Sequence, residues 1–333
     1  MQDIAIILPA YNEELTIAST IVDFNRVLPQ AAIWVINNRS SDATETEARN
    51  ALQRLACRGG VINESRLGKG NAVRRGFSDV EADVYVLADA DSTYPADDLH
   101  ALLFPVLLGD ADMVVGDRHV GGHYENENKR ALHGFGNRLV RDLVNWLFGA
   151  SLSDILSGYR VLSRRFVKSY PVLVEGFEIE TDMTLHALDK RLSIIEKPVK
   201  YRDRPEGSAS KLDTLGDGIR VLRTLFNILR HYRPPFFFGT LSLTFLVGGL
   251  MLGVPVVTEF VHTRYVSHVP LAILSTGVEV IAVVLAAVGL ILDSIAHQDK
   301  RVFERELLRL SIESAERRQL QEGLQKSGQL HPG

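Results

Sequence analysis

Cysteine is almost absent, with Cys57 the one thiol in 333 residues. No internal disulfide can form, and a lone thiol without Cys or His at ligand spacing makes no metal site, so Cys57 reads as a small packing residue. Excess charge of one sign is also missing. With 37 Lys and Arg against 41 Asp and Glu the net charge is -4, which gives no sign of a nucleic-acid partner. The opening "MQDIAIILPAYNEE" lacks a basic region and reaches acids after a short apolar run. It does not read as a secretory signal, and the N-terminal domain is expected in the cytosol. A Walker loop is missing too. Gly68-Lys69-Gly70 has neither the longer glycine spacing nor a hydroxyl after the lysine, which disfavours an ATPase.

What is present is an alternation of short apolar runs and helical patterns. Ile4 to Pro9 reads as a strand, and Tyr11-Asn12-Glu13-Glu14 opens a helical pattern through Leu28. Ala32 to Ile36 reads as a second strand, followed by a helix through Leu55 that Ser40 or Ser41 would cap. That rhythm predicts an α/β fold of parallel βαβ units with right-handed crossovers. The glycine-flanked Lys69 precedes a helix beginning near Asn71, where a helix N-terminus and a lysine together would attract a diphosphate. An exposed loop lysine explains the same pattern.

The stretch Val84 to Pro95, "VYVLADADSTYP", is an apolar run ending in Asp89 and Asp91 and then a turn. In an open α/β sheet ligands bind at the carboxyl ends of strands. Two acids there form a hard oxygen site suited to Mg or Mn carrying a phosphate. The plainer reading is helix capping. Further on, a helix is expected from Asp97 to Leu108, a strand at Asp112 to Val115, a polar loop from Gly121 to Asn128, and a helix from Arg130 to Phe148. "DILSGYRVLSRRF" reads as a loop leading into another element. Glu178, Glu180 and Asp182 open a helix, where acids suit the dipole. A last strand leads into a cationic loop with Arg202, Arg204 and Lys211.

From Pro235 the apolar residues gather into two runs, 235–257 and 269–292, the second holding Glu279 as its one charge. A membrane-spanning helix needs ~20 apolar residues, so each run is long enough, and the short link between them predicts a hairpin. Before it, residues 215–234 place Ile219, Leu222, Leu225, Phe226 and Leu229 on one face among arginines, the pattern of a helix lying in the interface. Arginines before the first run and Lys300, Arg301, Arg305 and Arg309 after the second predict that both ends are cytosolic. The expected organisation is thus a catalytic domain over 1–214, the interfacial helix, the hairpin over 235–292 and a tail over 293–333, ending in a disordered "KSGQLHPG". Glu279 within a span is costly unless it faces protein, water or a partner, and helix or subunit packing is its expected role.

"PAYNEE", the Gly68-Lys69-Gly70 turn, "DADSTYP", "SGYRVLSRR", "GFEIETDM" and "YRDRPEGSASKL" stand in the order and spacing of glycosyltransferase family 2. Over roughly residues 4 to 230 the chain most resembles the polyprenyl-phosphate glycosyltransferases of that family, the group containing dolichyl-phosphate mannose synthase. The resemblance implies a GT-A fold whose Asp-x-Asp motif holds a divalent cation, Mg or Mn, against the donor diphosphate. It implies inverting transfer of a sugar from a nucleotide-diphosphate donor to a polyprenyl phosphate, toward a cell-envelope glycan. On that reading Asp89 and Asp91 are the metal ligands. Pro9, Tyr11, Glu13, Asn38, Lys69 and Asp89 serve the donor, and Arg118, Arg130, Arg202, Arg204, Ser208 and Lys211 the acceptor phosphate. Asp89, Asp91, Arg118 and Arg202 form the catalytic set.

Two positions depart from the family pattern. Asn37-Asn38 stand where many relatives carry an acid that helps select the nucleoside, and Thr93 stands where many carry Gln. Because a phosphate acceptor is already anionic near neutral pH, no general base is needed, which weakens such a role for Glu178, Glu180 or Asp182. A processive polysaccharide synthase is excluded because neither Trp34 nor Trp146 sits in a Gln-x-x-Arg-Trp pattern. A membrane-anchored nucleotide-sugar scaffold and a family 2 transferase with another acceptor are the alternatives. The expected location is the bacterial inner (plasma) membrane, with copies of the hairpin available for homo-oligomer packing.

Overall fold

The computed structural model describes residues 2–119, 131–176, 178–202 and 217–328. They divide into two compact units, Met1–Leu215 with Arg305–Gly333, and Gly216–Glu304. The first is built on a seven-stranded sheet: β1 (Ile4–Ala10), β2 (Ala32–Asn37), β3 (Gly59–Asn63), β4 (Val84–Leu87), β5 (Met113–Asp117), β6 (Arg160–Ser163) and β7 (Ile194–Pro198), in the order β3-β2-β1-β4-β6-β5-β7. Strands β1 to β4 are mutually parallel, as the rhythm predicts. The sheet as a whole is mixed, because β6 enters antiparallel to both β4 and β5.

The central strands β1 and β4 are buried on both faces, which is why they read as continuous apolar runs, whereas β3 and β7 at the edges are only half-buried. Along β1, Ile4, Ile6 and Leu8 join a core with α1 (Ile17–Val27), α2 (Thr44–Arg54) and α4 (Leu99–Leu108). Ile7, on the opposite face, meets α3 (Lys69–Asp79) at Gly76. Period-two alternation thus feeds two cores from one strand. Cys57 packs against the first core and its Sγ donates to Asn25 Oδ1. The remaining helices of this unit are α5 (Ala131–Phe148), α6 (Arg164–Ser169) and α7 (Ile179–Asp189).

Several boundaries differ from the expectation. Helix α1 starts at Ile17, not Tyr11, because Thr16 and Ile17 N–H donate to the Glu13 carbonyl and Asn12 has a left-handed φ of 53°. Neither Ser40 nor Ser41 caps α2, whose N-cap residue is Ala43. A 3-10 turn over Ala96–Asp98 precedes α4.

In the second unit, α8 (Asp217–Tyr232) leads into α9 (Pro234–Thr263), then a short turn and α10 (Val269–Gly328), whose residues from Arg305 on belong to the first unit. On α8 the side chains of Ile219 and Leu222 lie outside the described residues, Ile228 is buried, and Phe226 is exposed with its ring edge-on to Phe237. Helices α9 and α10 are long and apolar enough to cross a membrane. At 1.5 Å per residue the 30 residues of α9 exceed the ~30 Å hydrocarbon layer. The two helices run antiparallel along a seam of small residues: Ser242 Oγ donates to Ala282 O and Ser275 Oγ to Gly249 O, both at 2.8 Å. Glu279 lies on this seam, its Cγ 2.7 Å from where a Cβ on Gly249 would stand. Small residues let helices approach where lipid supplies no hydrophobic drive between them. The second apolar helix does not stop at 292. It continues through Lys326 to Gly328, so the first part of the expected disordered end is helical, and 329–333 lie outside the described residues.

Arg160 is the largest fully buried side chain. Its Nε donates to Ser157 O, Nη2 to Ile155 O and Nη1 to Thr184 Oγ1, each at 2.9 Å. Replacing it strands three buried acceptors, so Arg160→Met should cost about 3 kcal/mol of stability. The exposed Glu45–Arg49 pair is worth far less, and Arg49→Ala should cost under about 0.5 kcal/mol. Melting of the two variants by circular dichroism checks the contrast, and equal losses would contradict it.

Candidate active site

Strand β1 lies between β2 and β4, so the chain leaves it in opposite directions and a crevice opens at the carboxyl ends of these strands. The three loops there each carry a non-glycine residue with positive φ: Asn12 after β1 (53°), Arg39 after β2 (59°) and Ser92 after β4 (60°). Such conformations cost of order 1–3 kcal/mol and gather at functional sites. Cross-loop hydrogen bonds hold them: Asn12 N–H to Ser40 Oγ, Ser41 N–H to Asn12 Oδ1, and Glu13 N–H to Thr44 Oγ1.

At the end of β4 the Lys69 ammonium contacts Asp89 Oδ1 and lies 2.5 Å from Glu180 Oε1. Burial opposes the ammonium charge, but Asp89 and Glu180 outweigh it and raise its pKa. Backbone geometry forces this position. A Cβ on Gly68 would sit 2.1 Å from Glu175 O, one on Gly70 2.1 Å from Val174 O, and Gly70 N–H donates to Glu175 O. Only glycines allow so close an approach. Asn38 closes the turn from the other side, accepting from Gly68 N–H at 2.7 Å and donating to Arg66 O at 2.6 Å. The Asn38 amide is therefore spent on backbone. Asp89 Oδ2 faces Gly158, where a Cβ would stand 2.7 Å away. Asp91 is buried and its Oδ1 accepts from Thr93 Oγ1 at 2.6 Å.

Glu180 and Asp182 lie in the first turn of α7, where acids suit the dipole, but their carboxylates also have tertiary partners. The N-cap residue, Glu178, makes no side-chain cap bond, Glu180 turns to Lys69, and Asp182 accepts from the Tyr170 hydroxyl at 2.6 Å. Burial raises the Asp182 carboxyl above the usual range.

Arg118, just past β5, forms a two-pronged pair with buried Asp154 at 2.7 and 2.9 Å and lies over the Tyr201 ring. Burial pushes the Asp154 carboxyl up, but the Arg118 hydrogen bonds and charge more than offset it and leave it below the usual range. Asp154, Asp117 and His119 place ligand atoms within 4.8 Å of one another. Both Asp154 oxygens already accept from a guanidinium there, which opposes a second cation. Arg202 is tied to the acidic loop through its N–H to Thr93 O, while its half-exposed guanidinium lies 3.5 Å from Asp23 and 3.9 Å from Asp97. Arg130, Arg204, Ser208 and Lys211 lie outside the described residues.

At the carboxyl ends of β2 and β3 is a cleft of about 400 Å³ lined by Asn37, Arg39, Asn63, Glu64, Ser65, Arg66 and Arg75. Asn37 donates to Asn63 Oδ1 and Glu45 Oε2, which fixes its amide at the cleft wall. Buried Glu64 takes two prongs from Arg66, at 3.0 and 2.9 Å.

The family model for glycosyl transferase family 2 matches residues 5–170. Glycosyltransferase AglJ of Haloferax volcanii is 32% identical over 308 residues, covering 91% of this chain and 98% of that protein. The chain belongs to glycosyl transferase family 2. A second relative of this transferase, polyprenol monophosphomannose synthase of Mycolicibacterium smegmatis, is 28% identical over 65% of this chain and 82% of its own length. Among solved structures, glucosyl-3-phosphoglycerate synthase of Mycobacterium tuberculosis, in complex with Mn2+, UDP-glucose and phosphoglyceric acid, superposes with a TM-score of 0.53. It is 24% identical and covers 69% of this chain and 79% of its own. That likeness gives the fold, GT-A.

In the transferase Pro9 lies near the end of β1, Tyr11 and Glu13 just beyond it, Asn38 after β2, and Asp89 and Asp91 after β4, and Lys69 is brought onto Asp89. Reading the sequence missed Asn37, Asn63, Glu64 and Arg66 as one cleft and Glu180 as a partner of Lys69. No local pattern links residues so far apart in the chain.

The Arg66 hydrogen bonds hold Glu64 at about 2, from an ordinary 4.5, against the opposing effect of burial. A carboxyl depressed by folding adds stability that is complete above its unfolded value and is lost as pH falls through the folded one. Between about pH 5 and 2 the thermal midpoint should therefore fall less steeply in Glu64→Gln than in the parent. Calorimetry across that range checks this, and parallel curves would remove the pair from the account.

Proposed function

We propose that the transferase moves a sugar from a nucleoside diphosphate to a polyprenyl phosphate at the cytosolic face of the plasma membrane, with inversion. The observation that carries this reading is one chain holding both a family 2 domain and an antiparallel pair of apolar helices long enough to span a bilayer. A lipid acceptor explains why a nucleotide-sugar enzyme carries such a hairpin. The name of the mycobacterial relative points to the same acceptor class. The basic residues flanking the apolar runs support a cytosolic position for both ends of the chain, and the hairpins are offered as homo-oligomer contacts.

The acceptor phosphate is largely a dianion above pH ~6. Its oxygen attacks the anomeric carbon opposite the leaving group, the bond to the diphosphate breaks with its electron pair, and the configuration inverts. No side chain has to remove a proton. Asp89 and Asp91 offer hard carboxylate oxygens one residue apart and would hold a Mg or Mn ion. When bound, that ion supplies charge stabilisation to the departing diphosphate. Asn37 and the adjoining cleft would receive the nucleoside, and Pro9, Tyr11 and Glu13, at the end of the neighbouring strand β1 and just beyond it, would serve the donor as well. Arg118, its fork oriented by Asp154, and Arg202 would meet the acceptor phosphate, joined by Arg130, Arg204, Ser208 and Lys211.

Full-length protein in detergent, given Mg or Mn, a polyprenyl phosphate and a panel of labelled sugar nucleotides, should form a lipid-linked monosaccharide from one donor class. Donor binding without lipid-linked product from any donor would sink the proposal. Asp91→Ala should lower turnover at least ~100-fold with its melting curve retained. A chelator should stop transfer and added Mg or Mn restore it; unchanged turnover in either case would remove the metal role.

A further inference from the structure

We propose that Lys69 is the resident counter-ion of the acidic strand end, and that a divalent cation reaches Asp89 only by displacing its ammonium, which Glu180 then retains. The inference rests on the proposed use of Asp89 and Asp91 by such a cation. Three observations carry it. The Lys69 side chain is 11% exposed and touches both carboxylates, so its charge is already committed. Its backbone is clamped between residues 174–175 and Asn38, so the ammonium has only the reach of its own stem in which to move. Glu180 is itself buried, with its carbonyl accepting from Thr184 Oγ1, and stays in place as the second anchor.

Charge counting gives the consequence. Asp89 and Glu180 face Lys69, and Arg160 is near enough to Glu180 to feel its charge. Two negative groups therefore meet two positive ones, and the nearby Asp154, which also acts on Arg160, is paired by Arg118. A cation arriving alone finds Asp89 neutralised and meets a like charge. A cation arriving with a diphosphate brings its own compensation. Lys69 thus makes cation binding depend on the nucleotide. Glu180 acts through Lys69 as a positioning residue, sharing the ammonium so that Asp89 can release it.

Titration of the full-length protein in detergent with Mn2+, without nucleotide, followed by electron paramagnetic resonance of the free ion, tests this. Lys69→Met/Glu180→Gln removes one charge of each sign and should bind Mn2+ about tenfold more tightly than the parent. Glu180→Gln alone leaves the ammonium wholly to Asp89 and should bind about threefold more weakly. A merely structural role would not move the two variants in opposite directions. Adding Asp89→Asn to the double variant should abolish the gain. A double variant no tighter than the parent, a gain that survives Asp89→Asn, or a Glu180→Gln variant as tight as the parent overturns the counter-ion role. Should the double variant fail to fold, the direction of the Glu180→Gln shift decides. Sugar transfer is not read here, so failure of this shift with transfer intact leaves the transferase reading standing.

Discussion

A buried ammonium between two carboxylates constrains the rest of the catalytic domain. Charges out of water are tolerated only when paired with good geometry. The elements that hold Lys69, Asp89 and Glu180 therefore cannot drift apart without exposing an uncompensated charge. Helix α3 is pinned by its first residue, β4 by its carboxyl end and α7 by its first turn. Asn38 adds the end of β2 to the same assembly by closing the turn that presents the lysine.

The antiparallel strand β6 is the second constraint. By entering between β4 and β5 it brings residues 154–160 to the acidic strand end. Gly158 then backs Asp89, Asp154 orients Arg118, and Arg160 fills the space beneath α7 through Thr184. A wholly parallel sheet would have left that edge to a crossover helix. The strained loops after β1 and β2 are tied to each other, and Ser92 after β4 is held by Ser19 and Thr20 of α1.

The two long apolar helices present a different kind of surface. Their outward side chains are large and apolar, with Leu250, Met251, Leu290 and Ile291 exposed, while their seam uses Gly249, Ser242 and Ser275. In water that exposure would be a liability, whereas in lipid it is the matching surface. Glu279 fits because it lies against Gly249 on the seam.

Much of this was readable from the residues. Apolar runs broken by turn residues mark β1, β2 and β4, the paired aspartates close a strand at its ligand-binding end, and two long apolar runs mark the hairpin, because each signal is local and repeats with the period of its element. Helix starts were less legible, since Glu13 and Asn12 bond to neighbouring loops and so delay α1 to Ile17. Sequence by itself determined the α/β class, the family and the two long apolar helices. Only the tertiary structure decided that the sheet is mixed, that Asn38 serves backbone, that Arg202 leans toward Asp23 and Asp97, and that Glu180 answers Lys69. Those are pairings between residues up to 179 positions apart, as Arg202 with Asp23 (202 − 23), and only packing brings such partners within hydrogen-bonding or Coulombic reach.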